Sequence, residues 1–230
     1  MVHPFMFLVD LFDVNSSLYH YAHSYKQVPY MWLIMAILVG FGALAAKNPT
    51  LVPSKLQNIF ELLVSGLEEF MVEIVGEEGR WFLPLAATIF LFIFISNLSG
   101  LIPGFFPPTA DINTNLGCAL VVFFFTHYLG VKHHGAAYVK HFMGPVWWMV
   151  PLIMPIEIIG HVARVLSLTF RLFGNMAGHE LVLMILFVLA GAFFAPLPIM
   201  ALGIFVAFVQ AFVFFLLSII YFSGSIEHAH

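Results

Sequence analysis

Glu157, His161, Arg164, Arg171, Asn175 and His179 stand among apolar residues of this chain at spacings that place them on one stripe of a helix. At 100° per residue they fall within about 80° of one another. Carboxylate, imidazole and guanidinium groups on one line can bind, pass or block ions. Arg171 carries the sharpest expectation. Its nearest acids in sequence are Glu157, about four turns away, and Glu180, about 180° away on the wheel and about 13 Å along the axis. Neither is placed to neutralise it. An arginine at a bilayer's centre costs between about 3 and 17 kcal/mol, so such residues face an interior, a water cavity or an anion. Because guanidinium keeps its proton, Arg171 can attract a carboxylate and block a leak but cannot relay protons.

The neighbours of Arg171 divide by chemistry. His179 and Glu180 titrate and could pass protons. Taken singly, His161 or His179 reads as a satisfied interior histidine, and Arg164 as a structural partner of Glu157 and His161. Gln210 is the strongly polar side chain of the last apolar segment, within about 20° of Gly203 and Tyr221 and beside Ser218. On its own it reads as an interhelical hydrogen bond worth about 0.6 to 2 kcal/mol. Other chemistries fail on spacing. His179-Glu180-Leu181-Val182-Leu183 begins like a zinc-protease helix, but Leu183 replaces the second histidine. Lys132-His133-His134 and His141 form a basic loop better suited to lipid headgroups than to a metal. There is no Gly-rich loop ending in Lys-Ser or Lys-Thr, so nucleotide binding is not expected. Cys118 is the one cysteine, which excludes a disulfide framework and a thiolate metal site.

The elements that must hold these residues are membrane helices. Hydrophobic residues make up 62% of the chain and charged ones 9%, against roughly 45–50% and about 25% in soluble domains. Trp81 to Ala110, Ile112 to Val131 and Leu181 to Ile226 are blocks of 30, 20 and 46 residues without Asp, Glu, Lys or Arg. Each meets the roughly 20 residues that a bilayer helix needs. The expected fold is all-α and polytopic, a single membrane domain of about five membrane helices. Spans are expected over 29–46, 81–102 and 116–131, a long tilted helix carrying Arg171 over 145–195, and a last helix over 199–222. The final two form a hairpin, since Gly191 and Ala195-Pro196-Leu197-Pro198 mark a turn, and a helix from Glu157 to Ala195 would be about 58 Å long and must tilt or break. Residues 53–75 alternate apolar positions with Glu61, Glu68, Glu69 and Glu73 at helical spacing, which predicts an interfacial amphipathic helix.

Residues 1–28 read as an external N-terminal segment without a signal-peptide pattern. With that end outside, Lys47, Lys55, Arg80, Lys132 and Lys140 fall on the inner side and Lys26 outside, placing the C-terminus in the cytoplasm. A net charge of −4 argues against nucleic acid.

Arg171-Leu172-Phe173-Gly174-Asn175, with Glu157 fourteen residues before the arginine, resembles subunit a of the membrane sector of F-type ATP synthases. Asn97-Leu98 before Pro103, Asp111 with Asn113, Gln210-Ala211-Phe212 and Tyr221 repeat that family's pattern in order. Two positions depart from it: some members carry a histidine where Gly203 stands, and some bacterial ones an acid where Ser99 and Gly100 stand. The resemblance implies a non-catalytic stator of the bacterial inner membrane. Its partners would be a ring of c subunits, the b-subunit peripheral stalk and the rest of the synthase, with no cofactor and no metal. Arg171 would separate two aqueous half-channels, with His179, Glu180 and Gln210 assigned to the outer one, Glu157, His161 and Arg164 to the inner one, and Asn175 a half-channel residue without an assigned side. Two other readings are a stand-alone secondary transporter, which calls for repeated halves not found here, and a haem-binding membrane protein with histidine pairs.

Overall fold

The computed structural model describes residues 25–46, 55–102, 104–135, 138, 150–190 and 196–226. Helix α1 spans Gln27–Ala46, α2 Lys55–Val75, α3 Leu83–Ser99, α4 Ile112–His134, α5 Val150–Ala190 and α6 Pro196–Ile226. Short 3-10 turns at Glu77–Trp81 and Pro108–Ala110 flank α3. Among the described residues α1, α4, α5 and α6 are long and apolar enough to cross a membrane. Helix α3 has 17 residues, about 26 Å of rise, a little less than the roughly 30 Å of hydrocarbon. Trp81, Leu101 and Ile102 are apolar but lie in turns rather than in α3, so the helix is shorter than its charge-free block.

Local chemistry sets the boundaries. Gly76 has φ 87, a backbone state that side chains disfavour, and it turns the chain out of α2. Pro84 occupies the first turn of α3, where its missing N–H costs nothing. Asp111 caps α4: the Asn113 amide donates to its Oδ1 at 2.8 Å. Lys132, His133 and His134 end α4 against the negative pole of its dipole, and Gly135 at φ 56 stops it. The acid that the family resemblance singles out at 111 is thus also a helix cap.

The core lies where α3 meets α6, with Phe82, Ala86, Phe90 and Ile93 against Phe214, Phe215, Ile219 and Phe222. Phe82 and Phe222 meet edge-on, centroids 5.3 Å apart. Asn97 pins the same pair of helices by donating Nδ2–H to the Ala207 carbonyl at 3.3 Å. Helix α4 packs on α5 and α6. Elsewhere the solvent is apolar: Trp32 is 65% exposed and Leu189 78%, an arrangement stable only in lipid. Helix α2 turns Leu67 and Met71 inward and leaves Glu61, Glu69 and Glu73 exposed. Arg80 bridges Glu68 and Glu77, each at 3.1 Å, an exposed pairing of small energetic weight.

Helix α5 runs 41 residues through Pro155 without a break among the described residues. Its rise is about 62 Å, twice the hydrocarbon thickness. It fits a membrane by lying oblique or by projecting from it.

Candidate functional site

Arg171 sits near the middle of α5. Leu168 and Leu172 flank it and are buried in the core, which turns the guanidinium to the opposite, exposed face. There its Nη2 donates to the Ser167 hydroxyl at 3.3 Å. Among the described residues no carboxylate pairs with it. The face around it is open: a side chain at Gly160, Gly174 or Gly178 would meet nothing within 4 Å.

On one side of Arg171 the polar residues tie α5 to α6. Asn175 donates Nδ2–H to the Oε1 of buried Gln210 at 2.6 Å. One turn on, His179 Nε2 lies 3.3 Å from the Ile199 carbonyl. Its imidazole fills the space beside Gly203, where an added Cβ would stand 2.5 Å from both His179 Nε2 and Leu101 Cδ2. So a histidine ring stands against position 203 even though α6 has none there, because α5 delivers it. Gly203→Val is expected to cost about 1 to 3 kcal/mol by overpacking, read as a lower melting temperature in detergent. His179→Ala should recover part of that loss, and equal loss in both backgrounds would contradict the packing. Glu180 is half-buried and makes no ion pair among the described residues.

Gly100 has a comparable steric reason. A Cβ there would come within 2.9 Å of the Pro107 ring, so the chain's return after α3 excludes a side chain where some relatives of the resemblance carry an acid. Nearby, Ser96, Asn97, Thr109 and Asn115 are buried, each with a side-chain oxygen that has no hydrogen-bond partner among the described residues.

On the other side of Arg171, Glu157 Oε1 lies 3.4 Å from His161 Nε2, and the Arg164 guanidinium lies 5.3 Å from the Tyr221 ring centroid, within cation–π range. His161 is buried and meets His127 of α4, ring centroids 4.9 Å apart. His127 is absent from the stripe on α5, yet a titratable ring inside a charge-free span is the signal that could have found it. The two imidazoles touch edge to face, too close to hold a haem iron between them. Lys132 lies over the Trp81 ring at 3.7 Å, and His133 Nδ1 lies 3.1 Å from the Leu129 carbonyl. Among the described residues no group of three His, Cys, Asp or Glu side chains is placed to hold a metal ion; His141 lies outside them.

Fold and site together define a class: a multi-pass, all-helical membrane protein with a long hairpin whose central cation pairs with no carboxylate among the described residues. Residues 28–223 match the family model described as ATP synthase A chain. Over its full length the chain is 66% identical to all of the ATP synthase subunit a of Desulfosudis oleivorans. It is likewise 55% identical to that of Syntrophobacter fumaroxidans and 56% to that of Geobacter sp. strain M21, again over the whole of each chain. The chain belongs to this family, the a subunits of F-type ATP synthases.

Proposed function

We propose that the chain is the proton-conducting stator of its synthase, with Arg171 as the fixed charge between two half-channels. It works in the ion-translocating membrane sector and carries no catalytic site for ATP. The observation that carries the reading is the exposure of Arg171 on an open face, where no carboxylate among the described residues pairs with it. A permanent cation in hydrocarbon calls for a counter-charge, and a ring of c subunits, each with one membrane-embedded carboxylate, supplies it repeatedly. Protons entering by one half-channel neutralise a ring carboxylate, ride the ring and leave by the other. Arg171 holds the ionised carboxylate in between and denies protons a direct path.

Polar groups on both sides of Arg171 support two paths that do not meet. Asn175, Gln210, His179 and Glu180 serve the outer one, and Glu157, His161 and Arg164 the inner one. Basic residues assign the sides, with the loop after α4 in the cytoplasm and the N-terminus outside. The membrane is the bacterial inner membrane, and the b-subunit stalk anchors the chain against the torque. The force is charge crossing the field, about 2.3 kcal/mol per charge per 100 mV.

The open face gives a test separate from the arginine. Gly178 lies within about 20° of Arg171 on the wheel, two turns along, and has free space around it in this chain. Gly178→Leu is expected to fold and insert normally yet lower ATP-driven pumping about tenfold, because small residues permit close approach of a partner helix. Unchanged pumping by assembled Gly178→Leu complexes would remove the ring from this face.

A further inference from the structure

We propose that His127 of α4 and His161 of α5 form, with Glu157, a relay that holds one extra proton at the basic-loop end of the inner half-channel. The inference rests on the half-channel reading above and adds to it a residue from the third span. The two rings lie edge to face with centroids 4.9 Å apart. His161 Nε2 faces Glu157 Oε1 at 3.4 Å. The cleft that both histidines line reaches Leu168, one turn short of Arg171, and has room for about one water molecule. A gap that narrow carries protons on side chains rather than through a column of water.

Tautomers decide how the proton moves. His127 donates Nδ1–H to the Phe123 carbonyl at 2.9 Å, since a carbonyl can only accept. Its Nε2 is therefore the lone-pair atom, and an extra proton enters and leaves there. His161 facing an ionised carboxylate carries its hydrogen on Nε2. A proton taken at Nδ1 makes it imidazolium, Nε2–H passes to Glu157, and the ring ends neutral with its hydrogen on Nδ1. A half-turn of the ring about its Cβ–Cγ bond, which brings a hydrogen-bearing nitrogen back to the Glu157 side and a lone pair to the other, resets it for the next proton. No atom is lost and nothing is oxidised.

Among the described residues, the charged and titratable groups around the pair include Glu157 and Arg164 on α5, Tyr221 on α6 and Tyr138 after α4. Burial raises the Tyr138 phenol above its usual value, with Arg164 pulling it down and Glu157 pushing it up. Tyr138 therefore stays protonated near neutral pH and does not compete for the proton. Two cationic imidazoles in contact, with Arg164 beside them, repel one another, so the pair carries one extra proton at a time.

The test uses the intact synthase in membrane vesicles, with initial ATP-driven proton uptake measured from pH 6 to 9. Dividing each variant's rate by the parent's removes the pH dependence of ATP hydrolysis. His127→Gln and His161→Gln are each expected to give a ratio that falls about tenfold near pH 6 to 7, where imidazole titrates, and recovers toward one at pH 9. The double variant should be no worse than the weaker single one. If His127→Gln fails to assemble, His161→Gln must show the same pattern. A ratio that is flat across pH, or additive losses in the double variant, overturns the relay and leaves packing. Arg171→Ala separates the two levels: its loss of pumping beside flat histidine ratios overturns the relay alone, and its retained pumping overturns the half-channel reading.

Discussion

Replacing Arg171 with alanine is expected to abolish ATP-driven proton pumping while leaving the amount of membrane-inserted chain unchanged. Both halves of that expectation come from the geometry. The guanidinium is exposed, and its one side-chain bond among the described residues is to Ser167 at 3.3 Å. Truncating it leaves no buried partner among the described residues unpaired and takes a charge out of the membrane, so folding and insertion of the chain should not suffer. The functional loss is of another order. An ionised carboxylate passing the stator without its counter-charge bears an intramembrane cost of at least about 3 kcal/mol, which corresponds to roughly 150-fold in rate. If Arg171 separates two half-channels, as proposed, its loss also opens a proton leak between them and uncouples hydrolysis from pumping. Coupled pumping in assembled Arg171→Ala complexes would contradict this.

Glu180 should come next in size of effect. It is half-buried on the side of α5 away from Arg171, next to the His179 ring that Gly203 accommodates. No cation lies within ion-pair distance of it among the described residues, and Lys26 acts on it only from further away. If it passes protons, Glu180→Gln, which keeps shape and removes titration, should lower flux about a hundredfold, the low end of what a positioned acid or base contributes. Glu180→Asp or Glu180→His should restore part of it. A Gln variant as active as the parent removes Glu180 from the path. Equal loss with Gln, Asp and His assigns it to packing instead. The two readings separate because the Gln variant is isosteric and the Asp and His variants are not.

The helices were legible because a bilayer excludes charge and backbone breaks from long stretches, so composition alone marks where they run. Their ends were less so. Trp81 and Ile102 suit a span in composition but belong to turns, and the Asp111 cap and Gly135 stop depend on backbone angles that apolar counting ignores. Arg171 was legible as a cation with no acid in reach on its own helix, because the wheel shows where Glu157 and Glu180 lie. The stripe on α5 was not a single site: Asn175 and His179 turn to α6, His161 to α4, and Arg164 to Tyr221. Periodicity gives the face of one helix and says nothing of which neighbour meets it. His127 illustrates the limit, since a lone histidine in an apolar run reads as a satisfied interior residue until the fold places another imidazole against it. Gly203 and Gly100 were visible as departures from the family, but the reasons, the His179 ring and the Pro107 ring, are tertiary.

The claim at the centre is that the counter-charge of Arg171 belongs to a second polypeptide that runs along its open face. Ser167 is exposed one turn from Arg171, and Cys118 is the chain's only thiol, so Ser167→Cys in a Cys118→Ser background places one reactive sulfur at the spot. With single cysteines introduced near the membrane carboxylate of the small ring subunit, mild oxidation of the intact complex should yield a disulfide-linked product of this chain and that subunit. Formation of the product at the cysteines flanking the carboxylate is the expected result. If complexes assembled with Ser167→Cys give no such product, while a cysteine on the opposite face of α5 does, the counter-charge lies elsewhere and Arg171 is not the stator's charge.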